Sequence, residues 1–96
     1  MFIVSLTYKV PLEQVEPHLA AHIAYLDEQY ALGNFHASGR KVPRTGGIIL
    51  SKMKDKAALL KILAEDPFQK HQLVDCEVTE FVPSKTCDEL NFMQEA

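Results

Sequence analysis

The sequence predicts an α+β fold in which four strands and two helices follow one another in the order βαββαβ. Three observations support this prediction. Strand-like runs with period-two alternation stand near both ends of the chain, and two amphipathic segments have helical spacing. The length of 96 residues suits one domain and leaves little room for a second. We therefore expect a single sheet with two helices packed against it.

The first strand is predicted over Phe2–Tyr8, which is rich in β-branched and aromatic residues and has one strongly apolar face. A helix follows, opening near Pro11 or restarting at Pro17, because proline is tolerated in a first helical turn. Gly33 is expected to end this helix in a left-handed conformation. At about 100° per residue, one apolar stripe of the helix contains Val15, Leu19, Ile23, Leu26 and Tyr30.

Two further strands are predicted over residues 34–39 and 47–53, joined by a connection that is rich in proline and glycine. Their proximity predicts an antiparallel hairpin. Asp55 has the side chain of a helix N-cap and begins a second helix over residues 56–65. The inward-facing residues of that helix are Leu59, Ile62 and Leu63.

The second helix breaks at Asp66-Pro67-Phe68, and the fourth strand is predicted over residues 74–81. This order is the ferredoxin-like split arrangement, with both helices on one face of an antiparallel sheet. We assign residues 1–83 to that domain and residues 84–96 to a C-terminal tail, a candidate interface arm.

The opposite face of such a sheet is uncovered, and Ile3 and Ile49 are assigned to it. An exposed apolar sheet face is unfavourable in a monomer. We therefore predict a homodimer or a higher homo-oligomer, in which two sheets pack face to face into an α/β barrel.

Composition and charge exclude several classes of protein. The net charge is −3 and the basic residues are scattered, whereas a nucleic-acid binder needs a basic face. No apolar run is long enough to span a membrane. The segment "MFIVSLTYKV" lacks the features of a signal peptide, so we expect a cytoplasmic protein. The two cysteines have no CxxC spacing; Cys76 is interpreted as a small core residue and Cys87 as an incidental thiol.

His22 and Asp66 are the candidate catalytic residues, and each also has a structural interpretation. On the helical wheel His22 lies about 20° from Val15, at the edge of the apolar stripe. It is either a packed histidine bonded to a backbone carbonyl or a working acid or base. Asp66 precedes Pro67 and is a natural N-cap of a helical turn. A carboxylate has acceptor sites for both roles.

The segment "HIAYLDEQYALGNFHASGR", the "GG" strand and "DPF" resemble, in their order and spacing, the YciI-like (YCII-related) family. The resemblance implies a ferredoxin-like fold, dimers or larger assemblies, and a His–Asp pair in a cleft. The histidine of the family's "H-L-x-x-L" pattern matches His22, and the aspartate of "D-P-F/Y" matches Asp66. The "S/A-G-P" turn matches Ser38 and Gly39, but Arg40 stands where proline is usual.

The chemistry expected of such a pair is proton abstraction, isomerisation or elimination on a small molecule, because no serine or cysteine nucleophile motif accompanies it. By resemblance, the compound is a substituted aromatic or a lactone. The candidate substrate-binding residues are Tyr8, Ser38, Arg40 and Phe68, with Arg44 as a further cation on the loop. No cofactor is predicted.

Three other functions were weighed against this one. A non-catalytic dimeric ligand-binding or accessory module would use His22 and Asp66 only to hold the first helix against the "DPF" turn. A metal site is disfavoured because His18 and His22, four residues apart, lack a third ligand with supporting spacing. An RNA-recognition module is disfavoured by the acidic balance and by the lack of paired exposed aromatics on the central strands.

Overall fold

A computed structural model describes residues 1–95 and confirms the predicted order of elements. The strands are β1 (Phe2–Tyr8), β2 (Phe35–Arg40), β3 (Gly46–Ser51) and β4 (Val74–Glu80). The helices are α1 (Leu12–Val15), α2 (Leu19–Ala31), α3 (Lys56–Leu63) and α4 (Pro67–Lys70), with 3-10 segments at Glu16–His18 and Asp88–Met93. The strands form one antiparallel sheet in the order β2-β3-β1-β4. This is the ferredoxin-like topology.

The helix boundaries follow from local chemistry. Pro11 precedes α1 and Pro17 lies in the 3-10 segment that joins α1 to α2, so both predicted starts are used. Asp55 caps α3, because its carboxylate accepts from the Ala57 backbone N–H at 3.0 Å. Gly33 follows α2 with φ of +79°, the left-handed conformation that glycine adopts without steric cost.

The hydrophobic core lies between the helices and one face of the sheet. Phe2 and Val4 of β1 are fully buried, and they pack in one cluster with Val15 and Leu59 from the helical layer. The register pairs Val4 with Ile49, so both side chains point towards the helices. The assignment of Ile49 to the open face was therefore wrong by one residue of register, and Ile48 and Leu50 lie there with Ile3.

The predicted apolar stripe is buried only in part: Val15 is in the core, and Leu19 and Leu26 of α2 pack against it. The buried residues of this helix are Tyr25 and Gln29, whereas Ile23 is 49% exposed and Tyr30 is 38% exposed. Leu19, Ile23 and Leu26 of the stripe face a cleft between α2 and the end of the sheet. The flank that carries His22 is the one that turns towards α3 and α4.

The tail folds back across one end of the sheet. The Met1 amino group and the Lys54 ammonium both contact the Glu95 carboxylate, at 3.4 Å and 2.9 Å. The Phe92 ring lies 5.6 Å from the His36 ring of β2, centroid to centroid. Within residues 1–95, no helix has the length and apolar character needed to cross a membrane.

Candidate active site

His22 and Asp66 are brought together by two different elements. His22 lies in the second turn of α2, and Asp66 is the N-cap of the short helix α4. The His22 Nδ1 atom is 2.8 Å from Asp66 Oδ1. The Asp66 side chain is 1% exposed and the His22 side chain is 12% exposed. The pair therefore consists of a fully buried carboxylate and an imidazole that still has access to solvent.

The position of Asp66 is fixed by the Asp-Pro sequence. Asp66 has an extended backbone, and its Oδ1 accepts from the Phe68 backbone N–H at 2.9 Å. Pro67 occupies the first helical position, where its missing N–H costs no hydrogen bond. The capping oxygen and the oxygen that contacts His22 are the same atom, so the cap holds the carboxylate in place for the histidine.

The hydrogen bonds of Asp66 determine the tautomer of His22. An ionised carboxylate only accepts hydrogen bonds, so with Asp66 ionised it is Nδ1 of the neutral His22 ring that carries the proton towards Oδ1. In the neutral ring the lone pair is then on Nε2. No residue in the described part of the chain hydrogen-bonds to Nε2. Asp66 Oδ2 is also buried without a partner among residues 1–95.

The plane of the His22 ring is fixed by stacking. Its centroid lies 3.9 Å from that of Phe68, and the two planes are within 5° of parallel. The Tyr8 ring meets Phe68 edge to face at 6.1 Å. Helix α4 thus orients His22 twice, through the Asp66 carboxylate and through the Phe68 ring.

A cavity of about 390 Å³ opens beside this pair, between α2 and the ends of β1, β2 and β3. Its volume is typical of small-molecule sites. The predicted residues that line it are Tyr8, His22, Ser38, Arg40, Arg44 and Phe68. Asp66 does not line it and lies behind His22, where a carboxylate can orient the ring without contacting a ligand.

The sequence interpretation missed two contributions to this cavity. Leu19, Ile23 and Leu26 line it, although Leu19 and Leu26 also pack against the core as predicted. The Tyr30 hydroxyl is 2.7 Å from Ser38 Oγ and so holds that side chain at the cavity. The sequence contains no signal for these contributions. The 49% exposure of Ile23 depends on how α2 lies on the sheet.

Tyr25 is adjacent to the pair and has a structural role. Its hydroxyl donates to the Ile62 backbone carbonyl at 2.8 Å, which ties α2 to α3. Burial, followed by the negative charges of Asp66 and Glu65, raises the pKa of the Tyr25 hydroxyl far above its usual range. This hydroxyl therefore stays protonated and donates to the Ile62 carbonyl.

The histidines do not gather into a metal centre in the region that the structure describes. No three His, Cys, Asp or Glu side chains of residues 1–95 are grouped as a metal site would need. The His18 and His71 rings stack on each other with centroids 4.1 Å apart.

Comparisons with known proteins agree with this fold. The family model described as the YCII-related domain matches residues 1–82. A solved structure of 5-chloro-2-hydroxyhydroquinone dehydrochlorinase from Burkholderia phenoliruptrix, in complex with 2,5-dihydroxybenzoquinone, superposes with a TM-score of 0.70. The sequences are 20% identical, over 84% of this chain and 93% of that one. No curated protein matches the chain significantly.

Proposed function

The chain belongs to the YCII-related domain family, as its motifs predicted, and on that premise we propose that it is a small-molecule enzyme with His22 as its general acid–base. Asp66 is the residue that orients His22. The observation that carries the proposal is the buried carboxylate bonded to Nδ1 of a histidine that lines a cavity. A histidine sealed in the core could not contact a substrate, whereas His22 lines an open cavity.

The proposed reaction begins with proton transfer to Nε2 of the neutral His22 ring. The proton comes from a C–H or O–H bond of the substrate, and the electron pair of that bond forms a new π bond. A leaving anion departs when the reaction is an elimination, or the proton returns to another atom when it is an isomerisation. The negative charge of Asp66 stabilises the imidazolium formed in this step. In an elimination, release of that proton to water restores the neutral ring, whereas in an isomerisation its return to the substrate does so.

The dehydrochlorinase of the same fold supports elimination as the first reaction to test. That enzyme is named for the loss of hydrogen chloride from a small ring compound, and it was solved with a dihydroxybenzoquinone. A cavity of about 390 Å³ has room for a compound of this size. We therefore propose a lyase-type reaction on a small ring compound that carries a leaving group.

Turnover should depend on the charge of Asp66 more than on its shape. The test is a panel of chlorinated hydroxylated aromatics and unsaturated lactones, with chloride release and absorbance as readouts. Asp66→Asn keeps an oxygen that can cap α4 but removes the charge, so we expect kcat to fall by about 10²–10⁴-fold. The kcat of His22→Gln should fall at least as far. Asp55→Asn is the matched control, because Asp55 caps α3 in the same way and lies outside the cavity.

A non-catalytic ligand-binding or accessory module is the second candidate. It is favoured by one observation: the Asp66 cap and the Phe68 stack also hold α2 against α4. If the protein is such a module, the wild type should bind compounds of the panel without converting them. His22→Ala should then lower the free energy of unfolding by about 1–3 kcal/mol. Turnover that is unchanged in both Asp66→Asn and His22→Gln would contradict the catalytic proposal.

A further inference from the structure

The cavity differs in charge from the molecule as a whole. The chain has a net charge of −3, yet the charged side chains that line the cavity are the two guanidinium groups of Arg40 and Arg44. No carboxylate of the described residues lines it, since Asp66 lies behind His22. Neither arginine forms an ion pair within residues 1–95. Two arginines without an acidic neighbour create a positive potential inside this cavity.

Arg40 is directed to the cavity by the strand register. Arg40 is two residues after Ser38 along β2, so the two side chains share one face of the sheet. The register pairs Ser38 with Ile49, whose side chain is on the face covered by the helices. Arg40 therefore points to that same face. Its partner across the strands is Gly47, which has no side chain to occupy the space beside the guanidinium group.

Arg44 is held at the cavity by the hydrogen bonds of the loop between β2 and β3. The Lys41 N–H donates to the Gly46 carbonyl at 2.9 Å, which closes the base of the loop. The Tyr8 N–H donates to the Thr45 carbonyl at 2.9 Å, which ties the loop to β1. Arg44 is next to this anchored residue, so its position does not depend on a free-standing loop.

The wall opposite the arginines is apolar. Leu19, Ile23 and Leu26 line the cavity from α2, and Phe68 lines it from α4. An amphipathic site of this kind fits a ligand with an apolar body at one end and an anionic group at the other. The planar guanidinium fork matches a carboxylate or an ionised ring oxygen better than a neutral group.

We propose that the substrate is a small organic anion whose carboxylate or ionised ring oxygen is bound by Arg40 and Arg44. This inference rests on the proposed function, because it defines the substrate class of the same cavity. The two arginines select the charge, while the α2 wall holds the apolar body beside His22.

The experiment is an NMR titration of the full chain with benzoate and with its neutral isostere benzamide. We expect benzoate to shift the backbone amide signals of the cavity strands and to bind at least about tenfold more tightly than benzamide. Arg40→Gln and Arg44→Gln should each weaken benzoate about tenfold without changing benzamide. Lys61→Gln, which removes an exposed cation of α3 away from the cavity, should bind benzoate as the wild type does.

Three results would overturn the inference: no benzoate binding at millimolar concentration, equal binding of benzamide, or unchanged benzoate binding in both arginine variants. Arg40→Lys keeps the charge and should retain more affinity than Arg40→Gln, which separates loss of charge from loss of fold. Benzoate binding involves no proton transfer. A failed turnover test of His22 therefore leaves the binding result intact, and a failed binding test leaves the turnover result intact.

Discussion

Gly46 is the residue at which the backbone of this fold leaves least freedom. It lies at the start of β3 with φ of +156°, paired with Thr7 of β1. A Cβ atom at this position would lie 1.8 Å from the Leu6 carbonyl oxygen. The obstacle is backbone in a central strand, so no side-chain rotation can relieve it. The close approach lets the loop that carries Arg44 return directly to β1.

Gly46→Ala should therefore destabilise the fold by about 3 kcal/mol, because β1 and β3 must separate to admit the methyl group. The measurement is the free energy of unfolding from urea denaturation followed by circular dichroism. Gly39→Ala is the matched control, since a Cβ at Gly39 meets no atom within 4 Å. That change should stay within about 0.5 kcal/mol of the wild type. Equal losses in the two variants would show that the steric argument is wrong.

At the residue scale, the contacts predictable from sequence are those with a local cause. An Asp-Pro pair favours the start of a helical turn, so the position of Asp66 at the start of α4 follows from neighbouring residues. The hydrogen bond between Tyr30 and Ser38 has no such cause. It forms because β2 runs back along the exposed side of α2, and no pattern in either segment encodes that crossing.

At the element scale, periodicity identified α2 but not the environment of each of its faces. Leu19 and Leu26 of its apolar stripe both pack against the core and line a cavity, Ile23 lines the cavity alone, and the mixed flank with Tyr25 and Gln29 is buried. Tyr25 is compatible with burial because its hydroxyl reaches the Ile62 carbonyl. Sequence patterns measure apolar spacing, and they do not distinguish a core from a ligand site, since apolar side chains line both.

The edge strand β2 contains a histidine that makes the fold sensitive to pH. His36 lies at the register shift between Phe35 and Ala37, beside the ring of Phe92 in the tail. Burial, and then the positive charges of Lys52 and the N-terminus, lower the pKa of His36 below 6.5. The folded state therefore binds a proton at this site less readily than the unfolded chain does.

The sign of the effect follows from linkage. Above pH 6.5 the ring is neutral in both states, and its contribution to stability is fully present. As the pH falls from 6.5 through the lowered folded pKa, the unfolded chain gains the proton first and stability is lost. We expect urea denaturation to show that the free energy of unfolding declines less in His36→Gln than in the wild type between about pH 7.5 and pH 5.5. Lys52→Gln should show an intermediate decline in the free energy of unfolding. If His36→Gln declines as much as the wild type, His36 is not the group that causes the loss of stability.

At the scale of the whole molecule, the helices leave one side of the sheet without a cover. Ile3 and Ile48 are each 37% exposed on this open face, and Leu50 lies between them across the strand pair. Glu77 and Asp75 of β4 flank this apolar centre, because they pair with Ser5 and Thr7 of β1. An apolar centre with a charged rim is the usual anatomy of a protein interface.

This face remains the basis for predicting a homodimer. The core of a chain this short is thin, and pairing two open faces would enlarge it. The exposed ring of Phe92 extends the apolar area at the β2 end of the sheet, which keeps residues 84–96 a candidate interface arm. Because the cavity opens on the helical side, face-to-face pairing would leave both cavities accessible.

Sedimentation velocity at micromolar concentration should accordingly give the mass of a dimer. Ile48→Lys puts an unpaired charge at the centre of the open face and should shift the protein to a monomer, because a desolvated ammonium group without a partner opposes association. Leu60→Lys is the matched control: it changes another exposed apolar residue, which lies on α3 outside the open face, and should leave the dimer intact. A monomeric wild type would refute the predicted dimer, and a dimer that tolerates Ile48→Lys but not Leu60→Lys would place the interface elsewhere.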